Sequence, residues 1–117
     1  MPTPRQQLGQ TAEQLAAQYL QQQGFTIVAR NYRHGRAEVD LVACKDKLLV
    51  FVEVKARSSS QFGHPETFVS EQQQERLLTA AEEYIITHQW DDNIRFDIIG
   101  VYFQHGRHTL DHFEDAF

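Results

Sequence analysis

Glu38, Asp40, Glu53 and Lys55 are the residues of this chain best placed to do chemistry. Glu53 and Lys55 stand in Val50-Phe51-Val52-Glu53-Val54-Lys55-Ala56-Arg57, whose β-branched residues favour a strand. Alternation puts Val52 and Val54 on one face and Phe51, Glu53, Lys55 and Arg57 on the other. A carboxylate and an ammonium within so apolar a strand carry a large desolvation cost unless they are paired, hydrated or bound to an ion. Glu38 and Asp40 stand in a second run, Glu38-Val39-Asp40-Leu41-Val42, where alternation puts both acids on one face and Val39 and Leu41 on the other. A hairpin closed symmetrically on Asp46 and Lys47 sets Asp40 opposite Glu53 and Glu38 opposite Lys55, with Cβ atoms about 4.5–5.5 Å apart. Two facing carboxylates repel, and a divalent cation between them turns repulsion into ligation. Mg²⁺ is content with one or two protein carboxylates, completing its shell with water and substrate phosphate.

The elements that position these groups follow from the hydrophobic pattern. Residues 5–23 predict a helix, with Leu8, Ala12, Leu15, Ala16, Tyr19 and Leu20 on its buried stripe and Gly24 as its stop. Glu13 lies at the edge of that stripe beside Gly9 and Ala16, and periodicity alone reads it as a solvated helix glutamate. Strands follow at 25–33, around Glu38 and Asp40, and around Glu53 and Lys55, with a turn at His34-Gly35-Arg36. Residues 58–67 read as a loop placed to cover a bound substrate or simply to connect. A second helix spans 69–89, and strands at 94–103 and 107–113 close the chain. The order α-β-β-β-α-β-β predicts a small mixed sheet flanked by helices, in one domain over 1–117.

Arg30, Arg33, His34 and Arg36 cluster near the first turn, as phosphate contacts or as solvated turn residues. The net charge of −5 excludes bulk attraction to nucleic acid, but the charge is uneven: residues 1–60 carry +3 and residues 61–117 carry −8. A polyanion would approach the first half, unless the asymmetry is a chance excess. The single cysteine, Cys44, cannot form an internal disulfide, and no run is long enough to span a bilayer or serve as a signal segment. These points predict a cytoplasmic protein with no membrane partner. His108 and His112 share a face of the last strand, but no cysteine or carboxylate arrangement completes a zinc site there. No Gly-rich phosphate loop and no nucleophile elbow occurs.

An acid on one strand and Glu-x-Lys on the next, in an αβββαβ frame, resembles the PD-(D/E)XK nuclease superfamily. Nearly the whole chain resembles the YraN-type family of small bacterial proteins, similar to archaeal Holliday-junction resolvases. The matching pieces are Gly9 with Glu13, Tyr19-Leu20 with Gly24, Arg30-Asn31-Tyr32-Arg33, Glu38-Val39-Asp40-Leu41, Phe51 to Arg57, Phe62-Gly63, Arg95-Phe96-Asp97 and Ala116-Phe117. The resemblance implies a restriction-endonuclease-like core and Mg²⁺- or Mn²⁺-dependent hydrolysis of DNA, branched DNA included. It implies Asp40, Glu53 and the Val54 carbonyl as metal ligands, with Glu13 reaching the metal directly or through water. It makes Lys55 the residue that orients or deprotonates the attacking water, with Glu38, Arg57 and Gln73 in support and Arg30, Arg33 and Arg36 toward nucleic acid. A homodimer is implied because resolving a branch takes two nicks. The chain departs from the family pattern at Ala12, where a glycine is usual, and at Gln73, where a lysine is common. Gln73 and the acidic net charge leave open a nucleic-acid-binding or adaptor protein without turnover.

Overall fold

The computed structural model describes residues 3–57 and 69–117. The expected loop at 58–67, with Phe62 and Gly63, lies outside the described residues. Helix α1 spans Pro4–Gln22 and opens on a capping box in which Thr3 accepts from the Gln6 N–H and Gln6 accepts from the Thr3 N–H. It closes on Gly24 (φ +95°), whose N–H bonds the Gln21 carbonyl while Phe25 N–H bonds that of Leu20. Helix α2, Glu71–Thr87, starts with the same device built from Ser70 and Gln73.

Five strands form one sheet in chain order: β1 (Thr26–His34), β2 (Ala37–Lys45), β3 (Leu48–Arg57), β4 (Asn93–Gln104) and β5 (Arg107–Phe113). Only β3 and β4 pair in parallel, because α2 intervenes between them. The mixed α/β arrangement expected from the pattern is therefore present. The β2–β3 register also follows the expected turn, running from Lys45–Leu48 to Leu41–Val52.

Each sheet face carries a helix. α1 lays Ala12, Ala16, Ala17 and Leu20 over Leu41, Ala43, Val50, Val52, Ile99 and Val101. These alanines let the helix lie close to the sheet. α2 lays Leu77, Ala80, Ala81 and Tyr84 over Ala37, Val39, Val42, Leu49 and Phe51. Phe51 is fully buried there, in edge contact with Tyr84 and stacked on Phe96. One expectation fails. Val39 belongs to the α2 side and Leu41 to the α1 side, so they do not share a face. Alternation slips at Asp40 in β2, and it slips likewise in β1, where Ala29 and Tyr32 both face α2. Between the pairs Arg30–Leu41 and Tyr32–Val39 lies Asn31, at φ +50°. A left-handed residue turns the strand there and carries Asp40 out of simple alternation.

At the far side of the sheet, Asp97 is completely buried and ties β4 to β5 and the chain end. Its carboxylate accepts from Arg95 Nε and Nη2 at 2.8 and 2.9 Å and from the Asp115 N–H at 3.0 Å. It also meets His112 Nε2 at 2.7 Å, while His112 Nδ1 meets the Tyr19 hydroxyl at 3.0 Å. His112 is thus engaged by Asp97 and Tyr19, while His108 lies near Phe103. Burial works against the Asp97 carboxylate, but bonds from His112, Arg95 and Asp115 outweigh it and hold the pKa below its ordinary value. A depressed acid stabilises the fold above its unfolded pKa and loses that contribution as pH falls through the native value. Asp97→Asn is expected to cost about 3 kcal/mol at neutral pH in urea unfolding. The gap from wild type should narrow below about pH 4, where the unfolded-state carboxyl begins to hold its proton.

Candidate functional site

The site lies where β2 and β3 part company. Their ladder ends at Leu41–Val52, one pair short of the acids, and the next β3 donor on that edge is taken by a side chain. The Val54 N–H donates to Asp40 Oδ2 at 2.8 Å. The N–H and C=O of one strand residue point to the same edge, so the Val54 carbonyl also faces this gap. Beyond Phe51 the α2-side face of β3 continues as Glu53, Lys55 and Arg57, all partly buried. Lys55 Nζ stands 3.5 Å from Glu53 Oε1, both side chains under one-fifth exposed. Glu38, Asp40 and Glu53 line a cavity of about 170 Å³ with Arg36, Gln73 and Arg76.

The expected pairing of Glu38 with Lys55 does not occur in the structure. Lys55 pairs with Glu53 instead, and Glu38 lies 3.6 Å from Arg33, its ladder neighbour across β1–β2. The strands have already diverged at that level, leaving Glu38 closer to β1 than to β3.

Three carboxyl groups here resist ionisation. Burial first, then the neighbouring Asp40, raise Glu53 to about 8 against the pull of Lys55. Burial likewise raises Asp40 to about 6, opposed by the Val54 N–H and pushed further by Glu38. Glu13, reaching in from α1, rises to about 7 through burial and then Asp40, partly offset by a hydrogen bond to the Asn31 side chain. The Coulombic influence of Asp40 on Glu13 and Glu53 places all three in one local field.

The remaining expected residues divide. Arg36 and Gln73 line the cavity, though the Gln73 side chain also accepts from the Ser70 N–H in its capping box. Arg30 donates to Gln14 at 3.0 Å and Arg33 attends Glu38, so both are turned to local partners. Arg57 donates to the Ala56 carbonyl at 2.9 Å. Two residues escape a sequence reading. Arg76 lies one helical turn beyond Gln73 on the same face of α2, and that i, i+3 spacing was the available signal. Asn31 meets Glu13, and only its left-handed backbone reveals it.

Carboxyl groups that resist ionisation around a small polar cavity are candidates to hold a cation. Among the described residues no three His, Cys, Asp or Glu side chains close around one point. A hard divalent ion would therefore take Asp40 and Glu53 and fill the rest of its shell with backbone carbonyl, water or ligand oxygen, a donor set that suits Mg²⁺ or Mn²⁺.

Fold and site together define a small mixed α/β protein with an acid–lysine cluster at a strand fork. Its sequence then settles the family: residues 12–101 match the family model described as uncharacterised protein family UPF0102, and the chain belongs to that family. It is 44% identical over 110 residues to a UPF0102 protein of Flavobacterium psychrophilum, covering 94% of this chain and 92% of the relative. Similar UPF0102 proteins come from Bacteroides thetaiotaomicron, 41% identical over 95% of this chain and 92% of theirs, and Christiangramia forsetii, 37% over 95% and 93%.

Without a cation, the raised Glu53 pKa is a stability liability. A raised acid favours the fold below its unfolded value, and that contribution is lost as pH rises through the native one. In chelator-treated buffer, Glu53→Gln is expected to stabilise the protein at pH 8 by about 1–2 kcal/mol, a few degrees in melting temperature, and much less at pH 5. Thermal melts across that range measure the difference.

Proposed function

We propose that this UPF0102 chain is a metal-dependent nuclease of the PD-(D/E)XK superfamily on a restriction-endonuclease-like core, hydrolysing phosphodiesters in DNA, including branched DNA. The observation that carries the reading is the fork itself: Asp40 fixed by the Val54 N–H, Glu53 beside it, and Lys55 3.5 Å from Glu53. Asp40, Glu53 and the Val54 carbonyl would hold Mg²⁺ or Mn²⁺, which supplies Lewis-acid polarisation of a phosphate and a more acidic water. Glu13 reaches the same field from α1 and suits a water-mediated contact.

Lys55 has two tasks. Its ammonium orients the attacking water, and it stabilises charge gathering on the phosphate oxygens. Glu53 keeps that ammonium aimed along the strand. Arg36 and Arg76 line the same cavity as the acids, where guanidinium groups can receive a phosphate. Arg76 would then supply from α2 the cation that Gln73 does not. For a branched substrate, two opposed nicks call for a symmetric pair of chains.

DNA binding without turnover is the second reading, favoured by the engagement of the Gln73 amide in the helix cap. Incubation of linear and four-way-junction DNA with Mg²⁺ or Mn²⁺ decides between them. Wild type should cleave, chelator should abolish cleavage, and Lys55→Ala should lose at least about 100-fold in rate. Equal cleavage by Lys55→Ala would reject the assignment, and binding with no cleavage under any cation would leave the second reading.

On the same substrates, Arg76→Ala should slow cleavage about tenfold while leaving the melting temperature within about a degree, since an exposed side chain away from the core contributes little stability. Metal affinity should rise from pH 5 to pH 8, because the cation competes with protons held at raised pKa. Calorimetry in buffers of different ionisation enthalpy would register the protons released.

A further inference from the structure

The α2-side face of the sheet does not end at Lys55. The strand registers align Lys55 with Gly100 and Asp111, then Arg57 with Tyr102 and Thr109, and finally Gln104 with Arg107. Opposed residues share a face. The reverse side of these strands carries Val101, Phe103 and Leu110 against α1, so Tyr102, Gln104, Arg107 and Thr109 stand on the side of Glu53 and Lys55. Among the described residues, helix α2 packs mainly on β1, β2 and β3 and makes little contact with β4 and β5. A cavity of about 420 Å³, larger than that among the acids, lies there against Tyr102, Gln104, His105, Arg107, His108 and Thr109. Tyr102 folds back over Gly100 so closely that a Cβ at that position would lie 2.9 Å from its hydroxyl. A glycine in the row of Lys55 thus makes room for the Tyr102 ring on this face.

From the Lys55 row to the hairpin, β3, β4 and β5 carry Lys55, Arg57 and Arg107 on this face against a single acid, Asp111, which stands beside Tyr102. Residues 61–117 hold eleven acids and three Lys or Arg, yet none of the six cavity residues is acidic and one is Arg107. Arg57 continues the positive row from Lys55 on β3. The Gln104–Arg107 pair is four residues past the Lys55 row, or about 13 Å along the strands. That is roughly four nucleotide steps of a duplex at about 3.4 Å each.

We propose that the β4–β5 hairpin, through Arg107 with Gln104, Thr109 and Arg57, is a second contact for the nucleic-acid strand whose phosphate lies at Lys55. It is an extended backbone-binding ledge that sets how much flanking strand the protein grips. The proposal rests on the nuclease or DNA-binding reading and goes beyond it by assigning a contact to a separate element. The ledge neutralises phosphates, so it contributes affinity and salt dependence without base preference.

The test is fluorescence anisotropy with end-labelled duplex and four-way-junction DNA of about 30 base pairs per arm pair, in Ca²⁺ over a series of salt concentrations. Arg107→Glu should weaken binding about tenfold and flatten the salt slope by about one unit. Lys47→Glu makes the same charge change at the opposite end of β3 and should stay within about twofold of wild type. Gln104→Arg adds a cation facing Arg107 and should tighten binding severalfold, an outcome that misfolding cannot imitate. If Arg107→Glu and Lys47→Glu weaken binding equally, or Gln104→Arg changes nothing, the ledge is overturned while the site at the fork stands. If wild type binds none of these DNAs, the nucleic-acid reading falls and the ledge with it.

Discussion

The hydrogen bond from the Val54 N–H to the Asp40 carboxylate governs the rest of this molecule. A central strand cannot leave its backbone donors bare in a packed interior. Where β2 stops pairing with β3, a side chain takes over the missing ladder bond, and that side chain is an acid. The exchange does two jobs. It ends the sheet at that edge without an orphaned amide, and it fixes a carboxylate beside Glu53. The parting of the strands opens a gap, and the bond decides which groups face it.

Two packed faces make that gap possible. α1, with its alanine stripe, and α2, with Leu77 and Tyr84, cover the sheet from opposite sides. The aromatic layer of Phe51, Tyr84 and Phe96 closes the interior just before Glu53. At the other margin the Asp97 cluster binds β4, β5 and the chain end, so the parallel β3–β4 pair is held firm on the side away from the fork. One buried acid is fully satisfied and stays readily ionised. The others are incompletely satisfied and resist ionisation. This contrast in pKa direction separates the structural carboxylate from those of the candidate site.

Much of this is legible from the chain alone. The helices show in the apolar stripes around Ala12 and Leu77, and the strands in their valines. The β2–β3 register follows from two runs meeting at a two-residue polar turn, and it holds for the five pairs from Lys45–Leu48 to Leu41–Val52. What escapes the sequence is where alternation fails. Val39 and Leu41 separate onto opposite faces because Asn31, on the neighbouring strand, adopts a left-handed backbone, and no local pattern in β2 announces it. The partner of Lys55 escapes for the same reason: the ladder ends one pair early, so Glu38 goes to Arg33 and Glu53 takes the lysine. His112 meeting Asp97 and Tyr19 depends on three elements distant in sequence, and Arg76 becomes visible only once α2 is docked over the fork.

The net charge of −5 opposes bulk attraction of a nucleic acid, yet it does not decide the field at the fork. Screening confines the influence of a surface charge to about 8–10 Å at moderate salt, so a phosphate responds to its immediate surroundings and hardly to the molecular total. Three of the acids, Glu13, Asp40 and Glu53, have raised pKa values and are the groups a cation would neutralise. Arg36 and Arg76 stand on the same cavity. Once an ion is bound, the local balance at the fork turns positive while the remainder of the carboxyl half stays negative. On the proposed function, a polyanion would then be drawn to the loaded fork, and the acid cluster would become attractive only once it held its cation.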